Sequence, residues 1–237
     1  MKLALAQINP TVGDIRGNLR LITEAIEASR ERGADLVVFP ELVVVGYPPK
    51  DLLLKPTLIE QSEQAVAEAA THCAGIAAII GHPAPCDTPR GRALRNAASV
   101  CVDGKVASTH FKTLLPTYDV FDEHRYFEPG PEVTLVEACG RKLGISICED
   151  PWNDDQVFAR PLYHDNPIEK IAEAGADMQI NCAASPFVVG KHKLRERLMA
   201  SAATRHRLPV VYCNQVGGND ELVFDGRSRV VGADGAV

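Results

Sequence analysis

Apolar residues in this chain fall into short runs broken by turn signals, and their period switches repeatedly between two and about 3.6. Residues 2–8 alternate and then reach Asn9-Pro10, which predicts a strand. Residues 15–32 carry Ile15, Leu19, Ile22 and Ile26 at helical spacing, and Gly33 supplies the stop. An apolar strand follows at 35–39, a helix rich in Ala and Glu at 57–72 and another apolar strand at 76–81. Runs 96–102 and 105–111 flank Asp103-Gly104, a strong hairpin signal. Runs 133–138 and 141–148 meet through Cys139-Gly140 as a second hairpin. A helix over about 166–174 ends at Gly175, and Asp177–Cys182 is a strand. Residues 191–207 form a charged amphipathic helix and 209–214 a strand, and 221–225 with 228–232 read as a last hairpin turning at Gly226.

Helices therefore alternate with strands at both ends of the chain, while the middle is built from strand hairpins. A purely doubly wound sheet would not carry so many hairpins. The pattern fits an α/β fold of two mixed sheets packed face to face, with helices on the outer faces. No linker, low-complexity tract or internal repeat interrupts it, so 1–237 reads as one domain. The terminal Gly232-Ala233-Asp234-Gly235 is a turn signal that a strand should follow, so the domain reads as truncated at its C-terminus.

Composition narrows the function classes. A chain with 46% hydrophobic and 24% charged residues can bury a sizeable core, and a net charge of −6 argues against nucleic acid or an anionic membrane surface as partner. The apolar start Met1–Ala6 is cut short by Gln7, Asn9 and Asp14, so no signal peptide is read, and no run is long enough to span a bilayer. Seven cysteines, an odd count with no C-x-x-C pair, point to a reducing compartment, hence the cytoplasm. Cys101, Cys182 and Cys213 lie in apolar runs and read as inert core. Metal-ligand spacing, a phosphate-binding glycine loop and a G-x-S-x-G elbow are all missing; Cys148 stands where the elbow's second glycine would be, which makes Ser146 a poor nucleophile. His82 and His110 sit at strand ends and read as structural, and His192 as part of a solvated helix face.

Three ionisable residues close apolar strands. Glu41 follows Leu36-Val37-Val38-Phe39-Pro40, Lys112 follows Ser108-Thr109-His110-Phe111, and Cys148 ends Leu143-Gly144-Ile145-Ser146-Ile147 just before Glu149, Asp150 and Pro151. A thiol, a carboxylate and an ammonium on rigid supports are the parts of cysteine acyl transfer. A free thiol is only a few per cent ionised at neutral pH and needs a base, a cation or both. Glu41 is the candidate base, Lys112 the candidate cation for thiolate and oxyanion, and the Glu149 N–H a second oxyanion donor. Read alone, Glu41 and Lys112 are surface charges at strand ends, since no spacing rule brings 41, 112 and 148 together.

Phe39-Pro40-Glu41-Leu42 with Gly46-Tyr47, Phe111-Lys112-Thr113-Leu114-Leu115-Pro116 and Gly144–Asp150 resemble the Glu, Lys and Cys segments of the nitrilase superfamily. Pro116–Phe127, Ala184-Ser185-Pro186-Phe187 with Gly190-Lys191, and Asn214–Gly226 resemble more narrowly the N-terminal glutaminase domain of glutamine-dependent NAD⁺ synthetases. The resemblance implies a four-layer α-β-β-α sandwich that hydrolyses L-glutamine to glutamate and ammonia through a thioester on Cys148. It implies that Tyr118, Ser185, Lys191 and Glu149 bind substrate and that Glu123 supports Lys112. Without it, Lys191 is equally the first-turn residue of a charged helix and Glu123 a solvated loop charge. It further implies a homo-oligomer and a partner synthetase domain using ATP and Mg²⁺, whose S-G-G-x-D-S loop this sequence lacks; the glutaminase step itself needs no cofactor and no metal. Two alternatives stand beside it: a free-standing amidase or carbamoylase acting on another amide, and a non-catalytic interaction module with Cys148 as an ordinary buried thiol.

Overall fold

The computed structural model describes residues 1–237 other than Glu132 and Thr134. The first sheet holds β1 (Leu3–Leu5), β2 (Leu36–Val38), β3 (Ala77–Pro85), β4 (Leu94–Val102) and β5 (Lys105–Phe111) in that spatial order. β1, β2 and β3 run parallel, joined by the crossover helices α1 (Ile15–Glu31) and α2 (Pro56–Thr71). Both helices start where sequence chemistry dictates: Asp14 accepts from the Gly17 N–H at 2.9 Å, and Pro56 fills the first helical position of α2. β3, β4 and β5 are antiparallel, and Asp103-Gly104 turns between the last two with both residues at positive φ.

The second sheet is built from β6 (Leu135–Ala138), β7 (Arg141–Ile147), β8 (Met178–Ala183) and β9 (Val210–Asn214), with α3 (Pro167–Glu173) and α4 (Lys191–His206) as crossovers. Of the strand expected at 133–138, Thr134 lies outside the described residues. A two-stranded ribbon, β10 (Val216–Asn219) with β11 (Leu222–Asp225), stands apart, and β12 (Arg229–Val231) completes the second sheet beside β9.

The expected hairpin at Gly226 is therefore a misreading. The 222–225 run pairs backwards with 216–219, and the 229–231 run pairs antiparallel with 210–212. Gly226 is required for close packing instead. Its φ is +61°, and a Cβ there would lie 2.3 Å from the Gln7 side chain. Its N–H donates to Gln215 O at 3.1 Å and its carbonyl accepts from Asn214 Nδ2 at 3.0 Å.

Strand alternation sorts the core into two layers. Leu36, Val38, Ala77, Ile79, Ala98 and Val100 pack with Leu143, Ile145, Ile147 and Ile180 between the sheets. The alternate residues Val37, Ala78 and Ile80 pack with Ile22, Ile26 and Ala69 of the outer helices. On the other side Gly144 lets α3 approach β7 closely, since a Cβ there would meet Ile171 at 2.1 Å. The result is the α-β-β-α sandwich. It brings the C-terminal ends of β2, β5, β7 and β8 to one edge, because β5, two antiparallel steps from β3, points the same way as β2 and β3.

Candidate active site

All three strand-exit residues turn inward at that edge. Glu41 and Lys112 are 0% and 1% exposed, which removes the reading of them as surface charges. Lys112 Nζ donates to Glu41 Oε1 at 2.7 Å and to Glu123 at 2.7 and 2.8 Å. Glu41 also accepts from Asn96 Nδ2 at 2.7 Å and from the Ala184 N–H at 3.2 Å. Glu123 is not a solvated loop charge; it is buried and accepts from the Tyr47 hydroxyl at 2.8 Å. Cys148 directly follows β7 in the left-handed region, φ +43°, a conformation that costs about 1 kcal/mol or more in a residue with a Cβ. Its N–H donates to Cys182 O at 2.9 Å, which holds the elbow against β8.

The turn carrying Glu41 needs a glycine opposite it. A Cβ on Gly81 of β3 would lie 2.5 Å from Pro40 O and 2.6 Å from Leu42 N, and Leu42 itself is at φ +47°. Gly81→Ala is therefore expected to push Glu41 off its position, and a shift near 1 Å costs roughly 10²-fold in rate. Turnover measured beside the melting temperature checks this: kcat should fall by about that factor, and a native kcat would show that the turn has room to give.

Burial shapes the electrostatics. It opposes the Lys112 ammonium, but the carboxylates of Glu123 and Glu41 overcome it and hold Lys112 above its ordinary value. Burial lifts Glu123 to about 7 against the pull of Lys112. The Cys148 thiol is raised well above the ordinary value, first by burial and next by the Glu41 charge, with Lys112 pulling the other way. The lysine thus favours the thiolate, as expected of a cation, but does not win. The balance favours the thiol, so nucleophilic chemistry at this sulfur would need a base to accept its proton, and the Glu41 carboxylate acts on it electrostatically.

Two opposite charges, Glu149 and Lys191, lie near one another and near Cys148. Glu149 accepts from Tyr118 Oη at 2.8 Å and Tyr163 Oη at 3.0 Å, and burial raises its carboxyl. Lys191, at the start of α4, lies over the Trp152 ring at 5.1 Å and the Phe121 ring at 5.8 Å, and burial lowers its ammonium. No carboxylate pairs with it among the described residues. Ser185 is buried behind, its N–H bound to Asn214 Oδ1 at 2.8 Å and its hydroxyl without a partner. The other candidates lie elsewhere. Ser146 donates to Ile180 O at 3.3 Å within the second sheet, and His82 pairs with Ser99 at 2.7 Å. Burial lowers both His82 and His110 to about 4. Among the described residues no group of three or more His, Cys, Asp or Glu side chains is placed to hold a metal, and no helix is long and apolar enough to cross a membrane.

Comparison with known proteins places the chain in a family. The family model for carbon-nitrogen hydrolase matches residues 2–237. The chain belongs to the carbon-nitrogen hydrolase family. This carbon-nitrogen hydrolase is 41% identical over 239 residues to a glutamine-dependent NAD⁺ synthetase of Synechocystis, which covers 99% of the chain and 43% of that relative. It is 39% identical to the one from Thermotoga maritima, covering 100% of the chain and 39% of the relative. The chain thus spans about two fifths of the length of the curated relatives it matches. The structure of the Acinetobacter baumannii glutamine-dependent NAD⁺ synthetase superposes with TM-score 0.87 at 35% identity, over 98% of this chain and 41% of that one. An amidase of the nitrilase superfamily from Nesterenkonia superposes with TM-score 0.82 at 25% identity, over 99% and 84%.

Sequence reading did not reach Asn96, Trp152, Phe121, Tyr163 or the hydroxyl of Tyr47 as site residues. Asn96 sits inside a strand run and carries no local signal. Trp152 is the chain's sole tryptophan, four residues beyond Cys148, which is the one cue that could have placed it.

Proposed function

We propose that this carbon-nitrogen hydrolase is the glutaminase part of a glutamine-dependent NAD⁺ synthetase and splits the side-chain amide of L-glutamine. The observation that carries the reading is the pair of opposite charges near Cys148, the Lys191 ammonium on an aromatic shelf and the Glu149 carboxylate between two tyrosines. That pair matches an α-amino acid zwitterion: Lys191 takes the α-carboxylate and Glu149 the α-ammonium. Tyr118 and the unpartnered Ser185 hydroxyl line the path, and the amide end reaches Cys148.

As the Cys148 sulfur attacks the amide carbon, its proton passes to Glu41, and the oxyanion is held by Lys112 and the Glu149 N–H. The C–N bond then breaks, and ammonia leaves with the proton from Glu41. Water gives a proton to Glu41 and attacks the γ-glutamyl thioester; the C–S bond breaks, glutamate departs, and the sulfur takes the proton back from Glu41. Glu123 and Tyr47 keep Lys112 aimed through both halves. In a protein of the relatives' length the ammonia would pass to a synthetase domain that uses ATP and Mg²⁺ to amidate deamido-NAD⁺.

Comparing hydrolysis of glutamine, an N-carbamoyl amino acid and a simple aliphatic amide tests the reading. Glutamine should be the best substrate, and preference for either of the others would replace it. The Lys191→Ala variant should raise KM for glutamine by roughly 10- to 10²-fold, the loss of a charge-assisted contact, while kcat stays within about threefold. Steady-state kinetics read both parameters, and a fall confined to kcat would remove Lys191 from substrate binding.

A further inference from the structure

We propose that Asp150 is a positioning residue whose carboxylate sets the Cys148 elbow against the Lys112 strand exit. Asp150 touches no reacting atom in this scheme. Its side chain is fully buried, and one oxygen accepts from the Thr113 N–H at 3.1 Å and the Leu114 N–H at 2.9 Å. The other oxygen accepts from the Ile147 N–H at 2.7 Å. Thr113 and Leu114 directly follow Lys112, and Ile147 directly precedes Cys148. Lys112 belongs to one sheet and Cys148 to the other. Among the described residues no other hydrogen bond joins 112–116 to 147–150.

The chemistry of the clasp asks for this side chain. Three N–H donors converge, and only an ionised carboxylate offers an acceptor to every one without presenting a hydrogen of its own. Asn in its place would turn an NH₂ toward at least one of those donors. Pro151 follows in the short 3-10 turn at 150–152 and fixes the backbone from which the carboxylate reaches back. Burial raises the Asp150 carboxyl to about 6, opposed by the Ile147, Leu114 and Thr113 amides and by the Lys112 charge.

The proposal rests on Cys148 and Lys112 being the nucleophile and the oxyanion holder, and its test separates the two readings. Cys148 alkylation by iodoacetamide needs no glutamine, and the exposed Cys139 serves as internal reference. In the full chain, Asp150→Asn is expected to slow alkylation of Cys148 at least about tenfold with Cys139 unchanged. It should lower kcat by roughly 10²-fold, the scale of a 1 Å misplacement, with KM within about threefold. Asp150→Glu, which keeps the charge and moves it by one methylene, should not restore kcat. Native alkylation in a folded Asp150→Asn protein, or full rescue by Glu, would overturn the positioning role. If the Asn variant does not fold, amide exchange in the native chain decides: Thr113, Leu114 and Ile147 should open with a common protection factor, and values differing more than about 100-fold would overturn the clasp. A native chain whose Cys148 alkylates normally but which leaves glutamine intact would instead sink the substrate assignment alone.

Discussion

Cys148→Ala should abolish hydrolysis, lowering kcat by about 10⁵- to 10⁶-fold, the loss found when a covalent nucleophile is removed from an otherwise intact site. No neighbour can substitute. Ser146 lies within β7 and is held by Ile180 O, with Asn181 and Gln179 donating to its oxygen. Cys182 is buried in the strand behind, its thiol raised well above the ordinary value by burial. Glutamine binding should persist, because Lys191, Glu149 and Ser185 are untouched. Calorimetric titration should then give a Kd within a fewfold of the native KM, whereas residual turnover above about a hundredth of native would show that the thiol is not the attacking group. Stability should barely move, since alanine at φ +43° bears the same backbone cost as cysteine.

Lys112→Ala should be damaging twice over. Its ammonium is the shared partner of Glu41 and Glu123, and deleting it leaves two buried carboxylates facing each other. Removing one partner of a buried ion pair costs about 3–5 kcal/mol, enough to lower the melting temperature by roughly 10 °C in a chain of this size. Turnover should fall at least about 10³-fold, from loss of an oxyanion donor together with loss of the partner that aims the Glu41 carboxylate. The pH dependence has a definite sign. Glu123 already titrates about 7, raised by burial, and loses the cation that opposed the rise. A carboxyl raised in the folded state binds more protons than in the unfolded chain, so stability falls as pH rises through its folded value. The melting deficit of Lys112→Ala should thus be smallest near pH 5 and widen toward pH 8. A deficit that shrinks with rising pH would mean the carboxylates find another partner.

The parts of the fold legible in the sequence were those governed by local rules. Crossover helices announced themselves by Ile15, Leu19, Ile22 and Ile26, and Asp103-Gly104 made its hairpin. Gly226 misled because a glycine between two apolar runs carries a turn signal, whereas here its missing Cβ makes room for Gln7 from the start of the chain. The same limit applies to the site. Glu41, Lys112 and Cys148 were visible as ionisable groups ending apolar strands, but their convergence is a property of two sheets closing. Tyr118, Ser185 and Lys191 entered through resemblance to relatives. Asn96 and Phe121 left no mark at all, since an amide in a strand and a ring in a loop become site residues only through what lies across from them.

That closure bears on when the chemistry begins. Glu41 and Lys112 hang from one layer, Cys148 and Ser185 from the other, and neither half holds a working set. A ribosome-bound or half-collapsed polypeptide would carry an ordinary sluggish sulfhydryl and ordinary acids in water. Hydrolysis of the kind proposed would thereby be confined to molecules that have finished assembling.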